Sequence, residues 1–104
     1  MVKVDILDKN SIQDALKKYK FDIDSFGVES LHIFGSVARN DANFSSDLDV
    51  LVKFKPGKKN YDNFMNLTFL LEDVFSVKVD LITIESINGS FKESVEEESI
   101  LIEI

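Results

Sequence analysis

Two apolar runs, of which the second carries two acids, constrain the fold of this chain more than any other feature. The runs are Val28–Phe34 and Asp47–Phe54, and a polar loop that begins at Gly35 separates them. Side chains two residues apart in a strand point to the same face. The second run therefore predicts a strand with one apolar face, formed by Leu48, Val50, Val52 and Phe54. Its two acids, Asp47 and Asp49, share the opposite face.

These acids suggest a cation site. Two carboxylates that lie close together repel each other unless a cation or a proton sits between them. Hard divalent cations favour oxygen ligands, and Mg²⁺ is commonly held by one or two carboxylates together with substrate phosphates. Taken alone, however, an Asp-x-Asp pair such as Asp47 and Asp49 more often forms an ordinary solvated strand face.

The loop before the acids favours a cation site over a solvated strand face. Gly35-Ser36 follows the first predicted strand, and Val37-Ala38-Arg39 predicts the first turn of a short helix. Helix N-termini present unpaired N–H groups and bind phosphate well. Ser36 can donate a hydroxyl and Arg39 a guanidinium. An anion-binding loop beside a cation-binding strand suits a nucleoside triphosphate with its Mg²⁺.

A third acid, Asp80, lies within a predicted strand over Val77–Thr83. An uncompensated charge in the middle of a buried strand is costly. Lys78 shares the face of Asp80 and could pair with it. Alternatively, if this strand lies beside Asp47–Val52, Asp80 completes a cluster of three carboxylates.

Length and composition exclude several other classes of protein. The chain has 104 residues, which predicts a single domain over 1–104 with a modest core. The net charge of -7 argues weakly against nucleic acid as a partner. The absence of cysteine excludes disulfides and thiolate metal sites, and a single histidine disfavours a conventional zinc site. No signal-peptide core or membrane-spanning run of about 20 apolar residues is present, so we expect a cytoplasmic protein without a membrane partner.

The remaining segments give a helical and strand pattern around these acids. In chain order it predicts an edge strand or extended arm over Val2–Leu7, a helix capped by Asn10 or Ser11, and a connection over Phe21–Gly27. It then predicts a helix over Tyr61–Phe75 that ends at Ser76, with a buried stripe of Tyr61, Phe64, Met65, Thr68, Leu71, Val74 and Phe75. Ile87, Phe91 and Val95 fit a last helix, interrupted by Asn88-Gly89. His32 is interpreted as a half-buried strand residue in preference to a catalytic base. The apolar tail Ile100–Ile104 either packs on the core or contacts a partner.

The residues around these acids resemble a known family. The run Phe-Gly-Ser-x-Ala-Arg from Phe34 to Arg39, followed by Ser-Asp-x-Asp from Ser46 to Asp49, is similar to the signature of the DNA polymerase beta-like nucleotidyltransferase superfamily. It resembles most the minimal nucleotidyltransferases, which include antitoxin partners of HEPN-domain toxins. The segment Lys78–Ile82 resembles the strand that carries the third aspartate of the family. One departure is Asn40, which stands where many relatives have glycine.

The resemblance implies a fold and a set of residue roles. The expected fold is α+β (α/β), a polymerase beta-like mixed sheet of three to five strands flanked by helices. Gly35 and Ser36 would hold triphosphate oxygens, and Arg39 would steady phosphate or the loop. Asp47, Asp49 and Asp80 would be the catalytic residues and would hold two Mg²⁺ ions.

The implied reaction is transfer of AMP from ATP to a hydroxyl group, and the expected acceptor is a tyrosine of a HEPN toxin. One alternative is a non-catalytic antitoxin that binds nucleotide and masks its partner sterically. Another is a small-molecule nucleotidyltransferase, which is disfavoured because such enzymes usually carry an additional domain. A homo-oligomer is compatible with the sequence.

Overall fold

The computed structural model describes residues 9–35 and 47–103. The helices are α1 (Lys9–Lys17), α2 (Lys20–Ser25), α3 (Tyr61–Phe75) and α4 (Gly89–Glu98), and the strands are β1 (Val28–Phe34), β2 (Leu48–Phe54), β3 (Val79–Thr83) and β4 (Ile100–Ile102). A 3₁₀ turn, Ile84–Ser86, follows β3. Within these residues, no helix combines the length and the apolar character that crossing a membrane requires.

The strands form one mixed sheet in the order β3-β2-β1-β4. β1 is antiparallel to both β2 and β4, whereas β3 is parallel to β2. A parallel pair needs a crossover connection, and α3 supplies it between β2 and β3. The α+β class and the mixed sheet expected from the resemblance are therefore confirmed.

One face of the sheet carries the main core. Alternate residues of the strands point towards α1, α2 and α3, as the period of two requires. The helices contribute Ile12, Leu16, Ile23, Leu67, Leu71 and Phe75, and the strands contribute Leu31, Ile33, Leu48, Val50, Val52, Phe54, Val79, Leu81 and Ile102, all of them buried. The predicted apolar face of β2 is thus confirmed residue by residue.

The opposite face of the sheet carries a smaller apolar cluster. Phe34, Leu51, Ile87 and Val95 are buried together, and Ile82 and Ile84 pack against them. Val95 belongs to α4, which covers this part of the sheet. The acids of β2 and β3 also lie on this face, where β1 ends and β2 begins. The second face is therefore divided between an apolar layer and an acidic end.

Three details of the helices differ from the sequence prediction. Asn10 and Ser11 lie inside α1, so neither is its cap. The segment predicted as a connection contains α2, because Ile23 packs in the core and gives that short polar segment a buried side. In α3, Leu71 and Phe75 are buried as predicted, but Tyr61 is 76% exposed, and Leu67, which the predicted stripe left out, is fully buried. The predicted strand over Val2–Leu7 lies outside the described residues.

The end of α3 and the packing of the apolar tail agree with the sequence analysis. Ser76 has a φ of 54° and a left-handed backbone, and it ends α3. The apolar tail packs as β4, in which Ile102 pairs with Leu31 and is buried. Of the two alternatives for the tail, packing on the core is the one that the fold adopts, although the side chain of Leu101 remains 46% exposed.

The assignment of the buried face of α3 can be tested by its effect on the free energy of unfolding. Leu71 is fully buried, whereas Phe69 on the same helix is 57% exposed. Leu71→Ala is expected to lower the free energy of unfolding by about 2–5 kcal/mol, because it removes buried methyl groups and leaves a cavity. The control Phe69→Ala is expected to stay within about 0.5 kcal/mol of the parent chain. Urea unfolding measures both, and equal losses would contradict the assignment of the buried face.

Candidate active site

The site begins where β1 ends, with a close approach between Gly35 and Asp49. Phe34 and Asp49 are partners in the antiparallel ladder, so Gly35 follows directly beside the Asp49 side chain. A Cβ atom built on Gly35 would collide with Oδ2 of Asp49 and would lie 3.2 Å from its Cγ. The φ of Gly35 is +72°, a backbone conformation that other residues rarely adopt. Glycine is required here for both reasons, and its lack of a side chain makes room for the carboxylate.

Asp80 lies beside Asp49 on the neighbouring strand. β3 is parallel to β2, and Asp49 and Asp80 are partners in the ladder. Paired residues on adjacent strands point to the same face, with the strands about 4.8 Å apart. The ladder begins with a hydrogen bond of 2.9 Å from the Leu48 N–H to the Lys78 carbonyl. The predicted neighbourhood of these two strands is confirmed, and it places two acids in one row.

Burial differs among the three predicted acids. Asp49 is half-buried, whereas Asp47 and Asp80 are exposed. The sequence suggested that a charge at residue 80 would be costly, but β3 lies at an edge of the sheet and the carboxylate of Asp80 reaches solvent. The cost of a buried, unpaired charge therefore does not arise at this position.

Asp47 does not form a compact side-chain cluster with Asp49 and Asp80. Asp47 lies immediately before β2. Across residues 9–35 and 47–103, no three side chains of the Asp, Glu and His types are close enough together to hold a metal ion. The fold thus places Asp49 and Asp80 in one row, while metal binding by Asp47, Asp49 and Asp80 stays a prediction.

The predicted phosphate-binding loop is only partly within the described residues. Gly35 is described, but Ser36 and Arg39 lie outside the described ranges. Their predicted roles, a hydroxyl and a guanidinium offered to phosphate, stay predictions. What the structure adds is the position of the first residue of the loop, directly against the carboxylate of Asp49.

Neither Asp47 nor Asp80 forms an ion pair with a basic side chain of the described part of the chain. The pairs found there are Lys53–Glu29 at 3.0 Å, Lys59–Glu85 at 3.8 Å and Lys92–Glu96 at 4.0 Å. All of these side chains are substantially exposed, so each pair contributes little to stability. Lys78 does not pair with Asp80, which removes the structural explanation for Asp80 that the sequence had left open.

His32 is the half-buried strand residue that the sequence predicted. It lies on β1 and has Leu51 and Leu101 as its ladder partners. Burial lowers the pKa of His32 below its ordinary value of 6.5, because desolvation penalises the charged form. The imidazole is therefore neutral near pH 7 and adds no positive charge to the acidic end of the sheet.

Comparison with known proteins decides the family. A model of the nucleotidyltransferase domain matches residues 12–102, a stretch that includes the acidic row and both strands that carry it. The chain is a nucleotidyltransferase. The resemblance that the sequence suggested is thereby confirmed at the level of the domain family.

Individual relatives place this nucleotidyltransferase among the minimal members. A candidate protein adenylyltransferase of Methanocaldococcus jannaschii is 37% identical over 98 residues, which cover 89% of this chain and 96% of the relative. The protein adenylyltransferase MntA of Thermococcus cleftensis is 29% identical over 98 residues, which cover 93% and 98%. A solved structure of a candidate minimal nucleotidyltransferase has a TM-score of 0.68 and 30% identity, and the match covers 85% of this chain and 93% of that one.

Two more distant structures share the fold. A toxin–antitoxin complex with AMP-PNP matches with a TM-score of 0.69 at 18% identity, over 88% of this chain and 72% of that chain. A structure of a tri-AMPylated Shewanella oneidensis HEPN toxin in complex with an MNT antitoxin matches with a TM-score of 0.60 at 15% identity, over 88% of this chain and 71% of that chain. At these identities the match supports the fold alone.

Sequence reasoning missed two contacts of the nucleotidyltransferase site. Gly35 was singled out for phosphate binding, but its fit against Asp49 was not foreseen. Glu72 was not singled out, although its side chain accepts a hydrogen bond from the residue before Asp80. Neither contact leaves a signal in residue spacing, because each depends on how separate elements pack.

The fit between Gly35 and Asp49 can be tested against a matched glycine. Gly57 has a φ of +79°, but a Cβ atom there would meet nothing within 4 Å. Gly35→Ala and Gly57→Ala should both lose roughly 1–2 kcal/mol of unfolding free energy to backbone strain. Only Gly35→Ala should also displace the carboxylate, and we expect at least a tenfold loss of Mg²⁺–ATP affinity, about 1.4 kcal/mol. Calorimetric titration at a temperature where both variants are folded measures this, and equal affinities would contradict the proposed fit.

Proposed function

We propose that this nucleotidyltransferase transfers AMP from ATP to a hydroxyl group on a second protein. It would use Mg²⁺ held by the ladder partners Asp49 and Asp80 together with the substrate phosphates, and Asp47 would become a further ligand only if its side chain moves towards them. The observation that carries the proposal is the row in which Asp49 and Asp80 are ladder partners while Gly35 packs against Asp49. The adenylyltransferase names of relatives that match nearly the whole chain support ATP as the nucleotide.

The chemistry of these acids fits Mg²⁺, because their donor atoms are carboxylate oxygens. Asp80 in the row and Asp47 just before β2 are exposed, and neither forms an ion pair with a basic side chain of the described ranges. Because Mg²⁺ commonly takes one or two carboxylates and completes its shell with substrate phosphates and water, two paired acids are an adequate protein contribution. Bound there, Mg²⁺ neutralises triphosphate charge and makes a hydroxyl group easier to deprotonate.

The residues of the chain act by positioning and by proton transfer. In the proposed reaction the acceptor oxygen forms a bond to the α-phosphorus, the bond from that phosphorus to the bridging oxygen breaks, and pyrophosphate leaves. Asp80, which is exposed, takes the proton of the acceptor hydroxyl. Gly35 leaves the space that the Asp49 carboxylate occupies, and Ser36 and Arg39 bind the phosphates. Most of the rate enhancement then comes from orientation and electrostatic stabilisation.

The proposed acceptor is a tyrosine of a HEPN toxin, and the protein would act as its antitoxin. Support comes from the relative MntA, which is named a protein adenylyltransferase, and from the fold shared with an antitoxin bound to an AMPylated HEPN toxin. A second candidate is an antitoxin that masks its partner without chemistry. The observation favouring it is apolar side chains on the surface, such as Phe21 at 84% exposure and Phe91 at 51%.

Labelled nucleotide separates the two candidates. The protein is incubated with ATP labelled at the α-phosphorus, Mg²⁺ and the product of the neighbouring gene, which the proposal expects to be a HEPN-type protein. We expect label on that protein, and Asp49→Asn should lower the initial rate by about 100-fold or more, as losses of transition-state charge stabilisation commonly do. Asp14→Asn is the control. Asp14 is exposed on α1, so this substitution removes the same charge on the other side of the sheet from the row.

The outcomes of this experiment are distinct. Removal of Mg²⁺ by a chelator should abolish labelling in every variant. Equal rates for the parent protein and Asp49→Asn would contradict the assignment of the site. A stable complex that never acquires label would support masking without catalysis.

A further inference from the structure

One side chain of α3 reaches across to the strand that carries Asp80. Oε2 of Glu72 accepts a hydrogen bond from the Val79 N–H at 3.2 Å, in a half-buried setting. Val79 is the first residue of β3 and directly precedes Asp80. Glu72 therefore connects the end of the crossover helix to the backbone beside the acid.

The N–H of Val79 needs an acceptor from outside the sheet. Leu48 is the ladder partner of Val79 and donates its own N–H to the carbonyl of Lys78. In a parallel ladder of this register, the N–H of Val79 points away from β2. Among the described strands β3 is at the edge of the sheet, and Val79 is only 6% exposed. A buried N–H without a partner is costly, and the Glu72 carboxylate supplies that partner.

The backbone of Glu72 also takes part in the last turn of α3. Its carbonyl accepts a hydrogen bond of 2.8 Å from the Ser76 N–H, and Ser76 is the left-handed residue that ends the helix. The turn from 76 to 78 is thus held at both ends by one residue. Among residues 9–35 and 47–103, no lysine or arginine forms an ion pair with Glu72, so the main role of its side chain is the bond to Val79.

We propose that Glu72 is a positioning residue for nucleotidyl transfer, which fixes the start of β3 and thereby the place of Asp80 beside Asp49. It acts through the Val79 backbone and does not touch the nucleotide. The inference rests on the proposed function for the role of Asp80 in the reaction. Because small displacements of a reacting group can lower rates severely, losing the bond should reduce kcat more than it raises KM.

Three substitutions at residue 72 and one control separate geometry from charge. Glu72→Ala removes the acceptor, Glu72→Asp keeps the charge but withdraws the carboxylate by one methylene, and Glu72→Gln keeps an oxygen at the same reach. Asp73→Ala is the control, because Asp73 is the exposed acid next to Glu72 on the same helix. The readouts are the steady-state rate of AMP transfer and the amide hydrogen exchange of Val79 and Asp80 followed by NMR.

We expect Glu72→Ala and Glu72→Asp to lower kcat about tenfold, with KM for ATP within about twofold of the parent value. In both variants the Val79 amide should exchange at least about tenfold faster, because its hydrogen bond is lost. Glu72→Gln should stay within about threefold of the parent in both readouts, since the amide oxygen can still accept the bond. Asp73→Ala should match the parent protein.

Several results would overturn the inference. One is a Glu72→Asp variant in which the Val79 amide exchange rate and kcat are both unchanged. Because Glu72→Asp keeps the negative charge, it also provides the test if Glu72→Ala does not fold. A Glu72→Gln variant as slow as Glu72→Asp would show that charge matters and not the bond. An equal loss in Asp73→Ala would point to a general charge effect. If the parent protein transfers no AMP, the proposed function fails, and the exchange of the Val79 and Asp80 amides alone decides whether Glu72 holds the strand.

Discussion

The register of β2 against its two neighbours is the constraint on which the site depends. Phe34, Asp49 and Asp80 are partners across three strands, so they form one row on one face of the sheet. A slip of one residue in either ladder would turn Asp49 to the other face. That slip is prevented by the core, because the alternate residues Leu48 and Val50 are buried against the helices. Burial of apolar side chains on one face thereby places the acids on the other.

The second face of the sheet can carry carboxylates because the apolar layer covers only part of it. The second face of the sheet is apolar where α4 covers Leu51, and it carries the acids Asp49 and Asp80 where β1 ends. Asp80 lies on an edge strand and is exposed, and Gly35 leaves space for the half-buried Asp49. Carboxylates in such a row repel each other, and a divalent cation shared with a triphosphate relieves that repulsion. The arrangement suits a nucleotidyltransferase better than a purely structural surface.

Local pattern accounts for the parts of the fold that were predictable. The bounds of β1 and α3 and the buried face of β2 follow from periods of two and of three to four residues, because each buries one continuous face. The six-residue helix α2 was not predictable, since so short a segment shows no full period. Within α3 the prediction was wrong at Tyr61, whose ring at the first turn is exposed, and it left out Leu67, which packs inside.

The candidate residues are visible in the sequence, whereas the contacts around them are not. The spacing of Gly35, Asp47 and Asp49 is visible in the chain, whereas the pairing of Asp80 with Asp49 depends on strand order. The collision that a side chain at Gly35 would cause, and the bond from Val79 to Glu72, depend on the packing of whole elements. Contacts of this kind join residues far apart in sequence, so no local spacing encodes them.

The central claim, that the row of Asp49 and Asp80 binds the metal of a metal–nucleotide complex, is tested most directly by crystals grown with Mn²⁺ and a non-hydrolysable ATP analogue. Anomalous scattering then locates each metal ion. We expect at least one Mn²⁺ about 2.1 Å from a carboxylate oxygen of Asp49, with Asp80 or Asp47 as a further ligand and the triphosphate on the same ion. Metal and nucleotide bound together away from these three carboxylates would contradict the account.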